Sequence, residues 1–190
     1  MRAFERCLRR TGLPLRMTEG FNPRPHVSFP APLAVGMEGT DEVMEFDLSD
    51  WVQPVEIERR VREQLPGGLE LVSLELSDAH KAAQATEMTY VVFLDPPLQF
   101  DARLGATSLE QFMVRDQIPA VRIRKGKPKT VNVRPYVLSL QREEVRIVLR
   151  VKAGAEGSTR PEEILGALGF DAETCRSKFR IVRTRVQLAP

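Results

Sequence analysis

The sequence is poor in the residues that most often carry chemistry. Its 190 residues include two cysteines, two histidines, two tyrosines and one tryptophan. Cys7 and Cys175 stand far apart with no CxxC partner, so neither a metal cage nor a disulfide framework is expected, and both read as small buried apolar side chains. No HxxxH or HExxH spacing, no GxSxG elbow and no Cys–His pairing occurs, which leaves metal-dependent and nucleophilic catalysis without a candidate constellation. No uninterrupted apolar run is long enough to span a bilayer, and the first residues lack the pattern of a signal peptide. The expected location is the cytoplasm, without a membrane partner.

Charge of one sign is also not in excess, at a net +2, but it is unevenly spread. From Glu38 to Asp78 acidic residues dominate and the only bases are Arg59, Arg60 and Arg62. From Arg122 onward bases outnumber acids by roughly two to one. A basic region of this kind suits an anionic partner; alternatively the acidic and basic stretches face each other or are solvated surfaces.

What is abundant is proline and glycine in one stretch. Gly20 and Gly36 bracket a segment punctuated by Pro23, Pro25, Pro30 and Pro32. Each proline fixes its own φ and pushes the preceding residue out of the helical region, so the segment is extended and stiff. It places the polar Asn22, Arg24 and His26 among the apolar Phe21, Val27, Phe29, Leu33 and Val35. It reads either as a rigid connection between strands or as a loop holding polar side chains over a surface.

Around it the pattern is α+β. Met1 to Thr11 reads as an amphipathic helix, stopped by Gly12 and Pro14. Leu15 to Thr18 reads as a short strand, Val27 to Phe29 pairs weakly at most, and Glu42 to Leu48 alternates as a half-buried strand with Glu45 and Asp47 on one side. A helix runs from Asp50 to about Gln64 with Pro54 in its first turn, and the alternating Leu69 to Leu76 reads as a strand. The small, polar Asp78 to Glu87 marks the boundary between domains at 1–80 and 84–190, with His80 in the linker. Beyond it, Thr86 to Leu94 is an apolar strand and Thr107-x-x-Glu110 opens a helix. Strands at Ala120 to Arg124 and Thr130 to Val133 flank the turn 125–129. Tyr136 to Leu140 pairs with Glu144 to Val151, Thr159-x-x-Glu162 caps a helix, and Phe179 to Leu188 is the last strand. The second half thus reads β-α-β-β-β-α-β, a ferredoxin-like unit with an added strand, and the first as the same unit without its opening strand. Such tandem ferredoxin-like domains look like the RAMP-type endoribonucleases that process CRISPR RNA.

The binding signal is distributed. Arg122, Arg124, Lys125, Lys127 and Lys129 crowd one hairpin, and Arg146, Arg150 and Lys152 share a strand face. Arg24 and His26 from the proline loop, with Arg134, complete the candidate anion-binding set. Arg180 is out of parity with Arg183 and Arg185, so the last strand either shows bases on both faces or carries a bulge. Cations on a hairpin beside a sheet suit a phosphate backbone, and no aromatic stacking platform is evident, so reading by backbone and shape is expected. Gly154 to Arg160 precedes a helix and could offer backbone N–H groups to a phosphate, but it lacks the lysine of a P-loop. No cofactor and no catalytic residue is assigned; His26 is the one general acid–base candidate, with Tyr136 as a second proton-transfer group.

Several motifs together carry a resemblance. Arg2-Ala3-Phe4-Glu5-Arg6, Gly12-Leu13-Pro14, Gly20-Phe21-Asn22-Pro23-Arg24-Pro25 and Leu33-Ala34-Val35-Gly36-Met37-Glu38 are followed by Arg124 to Lys129, Val133-Arg134-Pro135-Tyr136 and Arg160-Pro161-Glu162-Glu163. Over nearly the whole chain they resemble the bacterial radical-SAM-linked family, whose members are fused or adjacent to radical S-adenosylmethionine proteins. The resemblance implies a radical-SAM protein as partner. It also implies a further strand before the first helix, so that Met1 would be an internal residue. This chain lacks the three closely spaced cysteines of a radical-SAM cluster, which makes it the companion. Three functions follow: a non-catalytic accessory protein binding RNA or another anionic substrate, a metal-independent RAMP-like endoribonuclease using His26, or a protein–protein adaptor.

Overall fold

The computed structural model describes residues 2–77, 82–124, 126–154 and 157–189; His80 and Lys125 lie outside them. In order, the chain forms α1 (Arg2–Arg10), β1 (Val27–Ser28), β2 (Glu38–Gly39), β3 (Glu45–Phe46), α2 (Pro54–Gln64), β4 (Ala85–Leu94) and α3 (Pro96–Gln99). There follow α4 (Ala106–Met113), β5 (Pro119–Arg124), β6 (Lys127–Asn132), β7 (Val137–Glu143), β8 (Arg146–Lys152), α5 (Pro161–Ala167), α6 (Ala172–Ser177) and β9 (Phe179–Leu188). The architecture is α+β, in two compact units: Met1–Pro30 with Val43–Ala83, and Ala31–Glu42 with Gln84–Pro190. The second unit therefore includes a segment that lies, in sequence, inside the first.

In the first unit α1 and α2 share a core. Leu8, Leu13, Ile57 and Val61 are buried, with Leu15, Val27, Met44, Phe46 and Leu48 packed against them. Burying Leu8, Leu13, Ile57 and Val61 contributes about 1.5–3 kcal/mol each, which is what holds short helices of this kind in place. Pro54 sits at the start of α2, where its missing N–H costs no helical hydrogen bond.

The strands of this unit are shorter than the alternation suggests. Glu42 to Leu48 pairs only where β3 meets β1, antiparallel with Val27 opposite Phe46 and Ser28 opposite Glu45, and at an isolated bridge from Leu48 to Leu15. Leu15 to Thr18 is held by that bridge and one from Met17 to Pro25. Leu69 to Leu76 is not a strand. Leu71 and Leu74 touch the core while Leu69, Val72 and Leu76 are exposed, and no strand among the described residues lies alongside to take its backbone hydrogen bonds. Alternation creates a strand only where a partner completes the ladder.

The second unit is a five-stranded sheet in the order β2-β9-β4-β8-β7. Only β2 runs parallel to its neighbour; the other pairs are antiparallel. One face of the sheet (Tyr90, Val92, Leu94, Ile147, Leu149, Val151, Ile181) forms the core with Leu109 and Phe112 of α4, Ile164 and Leu165 of α5 and Cys175 of α6.

The hairpin β5–β6 stands apart as a two-stranded ribbon. Its turn is shorter than expected. Lys127 and Lys129 lie in β6, and Arg124 opposes Lys127. Gly126, at φ 76°, supplies the left-handed backbone that such a tight turn needs. All four strand segments expected between α4 and α5 are present, as β5 to β8.

Two caps also differ from the sequence reading. Helix α4 starts at Ala106 with Gly105 as N-cap, so Thr107 does not cap it. At α5 it is Glu163 that accepts from the Arg160 N–H at 3.1 Å and from Thr159 Oγ1 at 3.0 Å. Helix α6 was not foreseen, although Asp171 caps it from sequence by accepting from the N–H groups of Glu173 and Thr174 at 2.9 and 2.8 Å.

Candidate functional site

The ribbon carries the densest set of predicted cations. In an antiparallel pair, residues directly opposite each other project from the same face. The register sets Arg122 opposite Lys129, so Arg122, Lys127 and Lys129 share one face of the ribbon. Lys127 and Lys129 are exposed and make no ion pair among the described residues. Arg122 is used differently. Its guanidinium meets Glu163 with two bonds, Nε to Oε1 at 2.7 Å and Nη2 to Oε2 at 2.8 Å, and Nη2 also donates to the Ser158 carbonyl. This ties the ribbon to the start of α5. Burial alone would raise the Glu163 carboxyl, but the Arg122 guanidinium and the Arg160 N–H outweigh it and hold the group below the usual glutamate value. The backbone N–H of Arg160, a possible phosphate donor by sequence, is thereby already taken.

The remaining predicted cations divide in the same way. Arg134 donates from Nε to the Met113 carbonyl and from Nη1 to the Val137 carbonyl, both at 3.0 Å. Arg146 pairs with Glu143 at 2.8 Å and Arg150 with Glu87 at 2.7 Å. Arg24 is exposed and pairs through its backbone with Thr18.

His26 lies in the first unit, in a small polar cluster. The N–H of His26 donates to the Arg16 carbonyl, and the N–H of Arg16 donates to the Asp47 carbonyl. These ladder bonds set Arg16, His26 and Asp47 on one face, opposite the apolar side chains of Leu15, Val27, Phe46 and Leu48 that enter the core. His26 Nδ1 lies 2.7 Å from Asp47 Oδ2, and Arg16 Nη1 lies 3.9 Å from the same oxygen. Nε2 of His26 has no partner among the described residues. Beside this cluster Ser28 Oγ donates to Glu45 at 2.8 Å. Tyr136, suggested as a companion of His26, belongs to the second unit. Asp47 and Arg16 were not named from sequence. The signal was present in the alternation of 42–48, which puts Glu45 and Asp47 on the side away from the core.

The alternative that the acidic and basic stretches face each other holds for one short acidic segment. Within the second unit Glu38 pairs with Arg180 at 2.7 Å, Asp41 accepts from the Val186 N–H at 3.2 Å, and Glu42 takes Arg183. The parity conflict in β9 is a bulge: Tyr90 opposes Arg183 and Thr89 opposes Arg185, leaving Thr184 extra. Arg183 faces the core and Arg185 the other side.

Among the described residues no group of histidine, cysteine, aspartate and glutamate could hold a metal ion, and no helix is long and apolar enough to cross a membrane. Cys7 and Cys175 are buried free thiols, and burial pushes both up in pKa.

No curated protein matches the chain. Residues 1–161 match the model of a family described as an uncharacterized protein conserved in bacteria (DUF2344), and the chain belongs to that family.

Proposed function

We propose that this DUF2344 member is a non-catalytic accessory protein that holds RNA, or another anionic substrate, for a radical-SAM partner enzyme. The observation that carries the reading is the ribbon: basic positions aligned on one face, outside the main sheet, with Lys127 and Lys129 free of acidic partners among the described residues. A strip of cations at strand spacing gains affinity by displacing counterions from a phosphate backbone and needs no base contact. The β9-β4-β8-β7 portion of the sheet, with α4 after β4 and α5 and α6 after β8, supports a ferredoxin-like reading of the second unit, the ribbon being an addition between α4 and β7. The tandem, RAMP-like reading treats the first unit as an incomplete copy. Fold alone leaves function open, so the weight rests on the ribbon. Fluorescent structured and single-stranded RNAs, followed by anisotropy in low salt, test it; absence of binding to both would remove the RNA reading. Co-purification with the radical-SAM protein tests the partner.

One observation favours a second reading, a metal-independent endoribonuclease. Asp47 beside Nδ1 orients His26 as carboxylates orient general acid–base histidines, with Nε2 left for a substrate. RNA cut by the wild type and left intact by His26→Ala would support it. Cutting that survives His26→Ala would remove that residue's role.

A further inference from the structure

The sheet of the second unit has a second face, turned away from the helices, and its side chains fall into rows across β8, β4 and β9. The register places Arg150, Thr89 and Arg185 in one row. The next row holds Lys152, Glu87 and Gln187. The bulge adds Thr184 beside Arg185. Bulges re-aim side chains in this way and recur at binding sites. A cavity of about 480 Å³ opens here, lined by Glu87, Thr89, Arg150, Thr184, Arg185 and Gln187. All six residues belong to the second unit.

The charges of this face are unequal. Arg146 is matched by Glu143, Arg150 by Glu87 and Arg180 by Glu38. Arg185, exposed on the same face, has no carboxylate partner and no hydrogen bond among the described residues. An unmatched guanidinium, the Glu87-paired Arg150 on the far side of β4, and the hydroxyls of Thr89 and of Thr184, whose Oγ1 donates to the Thr89 carbonyl at 3.5 Å, make a donor set for the oxygens of a phosphate. The Glu87 carboxylate and the Gln187 amide, one row further on, offer acceptors to hydroxyl groups. The volume is within the range of small-molecule sites.

We propose that this basin is a ribonucleotide site. The phosphate lies between Arg185 and Arg150 with the hydroxyls of Thr89 and Thr184, and the ribose hydroxyls are read by Glu87 and Gln187. The ligand is either a free mononucleotide or one nucleotide of an RNA strand. The site is built from strands other than the ribbon and stands or falls separately from it.

The full chain is titrated with 5′-AMP, adenosine and inorganic phosphate by calorimetry and by amide chemical shifts. AMP saturates at one site, and adenosine binds at least about tenfold more weakly, because it leaves the Arg185 guanidinium unpaired. Arg185→Gln, an exposed change checked by its thermal melt, lowers AMP affinity about tenfold or more. Glu87→Gln removes the preference of AMP over inorganic phosphate. Replacing Lys127 and Lys129 by glutamine leaves AMP binding unchanged. An RNA oligonucleotide that displaces AMP identifies the strand as the source, and one that does not identifies the free nucleotide. Non-saturating AMP binding, equal binding of adenosine, or an Arg185→Gln variant that binds AMP like the wild type overturns the proposal.

Discussion

Arg183, only 2 % exposed, is clasped by Glu42: Nε donates to Oε1 at 2.8 Å while Nη2 reaches both Oε2 and the Ala31 carbonyl. One guanidinium thereby fastens both ends of the segment 31–42 to β9. Between those ends, Thr40 donates its N–H to the Arg183 carbonyl and Gly39 lies opposite Arg183 in the parallel pairing. A buried guanidinium deprived of its carboxylate is expensive, whereas the partly exposed Glu42 can be rehydrated. Glu42→Gln is therefore expected to cost about 3 kcal/mol, and Arg183→Met less. Urea unfolding of both variants checks the order, and equal stability of Glu42→Gln and the wild type would contradict it.

Gly39 makes that clasp possible. A Cβ at this position would lie 2.3 Å from Glu42 Oε1 and 2.8 Å from its Cδ. Because Arg183 holds the carboxylate, Glu42 cannot swing away without losing the pair. Gly39→Ala is expected to lower stability by about 1–3 kcal/mol, the range for an overpacked site. The loss should largely disappear when Gly39→Ala is combined with Glu42→Ala, a non-additivity that a double-mutant cycle reads directly.

Stability should also fall in acid through Glu163. Its carboxyl is held below its ordinary value of 4.5, so the folded chain favours the ionised form more than the unfolded chain does. The stabilisation is complete above the ordinary glutamate range and is lost as pH falls through the depressed value. Glu163→Gln should lower stability at neutral pH and flatten the acid limb of the profile. Denaturant melts between about pH 6 and pH 3 check this, and parallel profiles for variant and wild type would rule out the Arg122–Glu163 pair as a cause of acid sensitivity.

Elements carrying their own periodicity and punctuation were legible in the sequence. Helix α2, with Pro54 at its start and Ile57 and Val61 inward, is one; β4, a long apolar strand between turn residues, is another. Pairing is not a local property, and it decided the rest. Leu69 to Leu76 alternates as well as a strand does but has no neighbour, while β2, two residues with no alternation to read, is a strand because β9 lies beside it. Ion pairs are equally non-local. Arg122 looked like its neighbours Lys127 and Lys129 in the basic hairpin, and only the fold shows that Glu163 takes it. His26 was legible as a lone histidine in a stiff loop; Asp47, contributed by another strand, completes its surroundings.

For His26, neutralising Asp47 separates the accessory reading from the nuclease reading. The accessory reading expects Asp47→Asn to leave RNA intact and its affinity within about twofold, since a lone exposed contact contributes little. Cleavage by the wild type that drops about a hundredfold or more in Asp47→Asn would favour acid–base chemistry at His26. Gel analysis of labelled RNA after prolonged incubation distinguishes them.

The most direct test of the central claim is the salt dependence of RNA affinity, wild type against the Lys127→Gln, Lys129→Gln double variant. If the ribbon lies on the phosphate backbone, log K falls steeply with log[salt] in the wild type. Removing two contacts then lowers that slope by roughly 1.4 for a single strand and roughly 1.8 for a duplex, with weaker binding to every RNA regardless of sequence. Identical slopes and affinities for the two proteins would contradict the account.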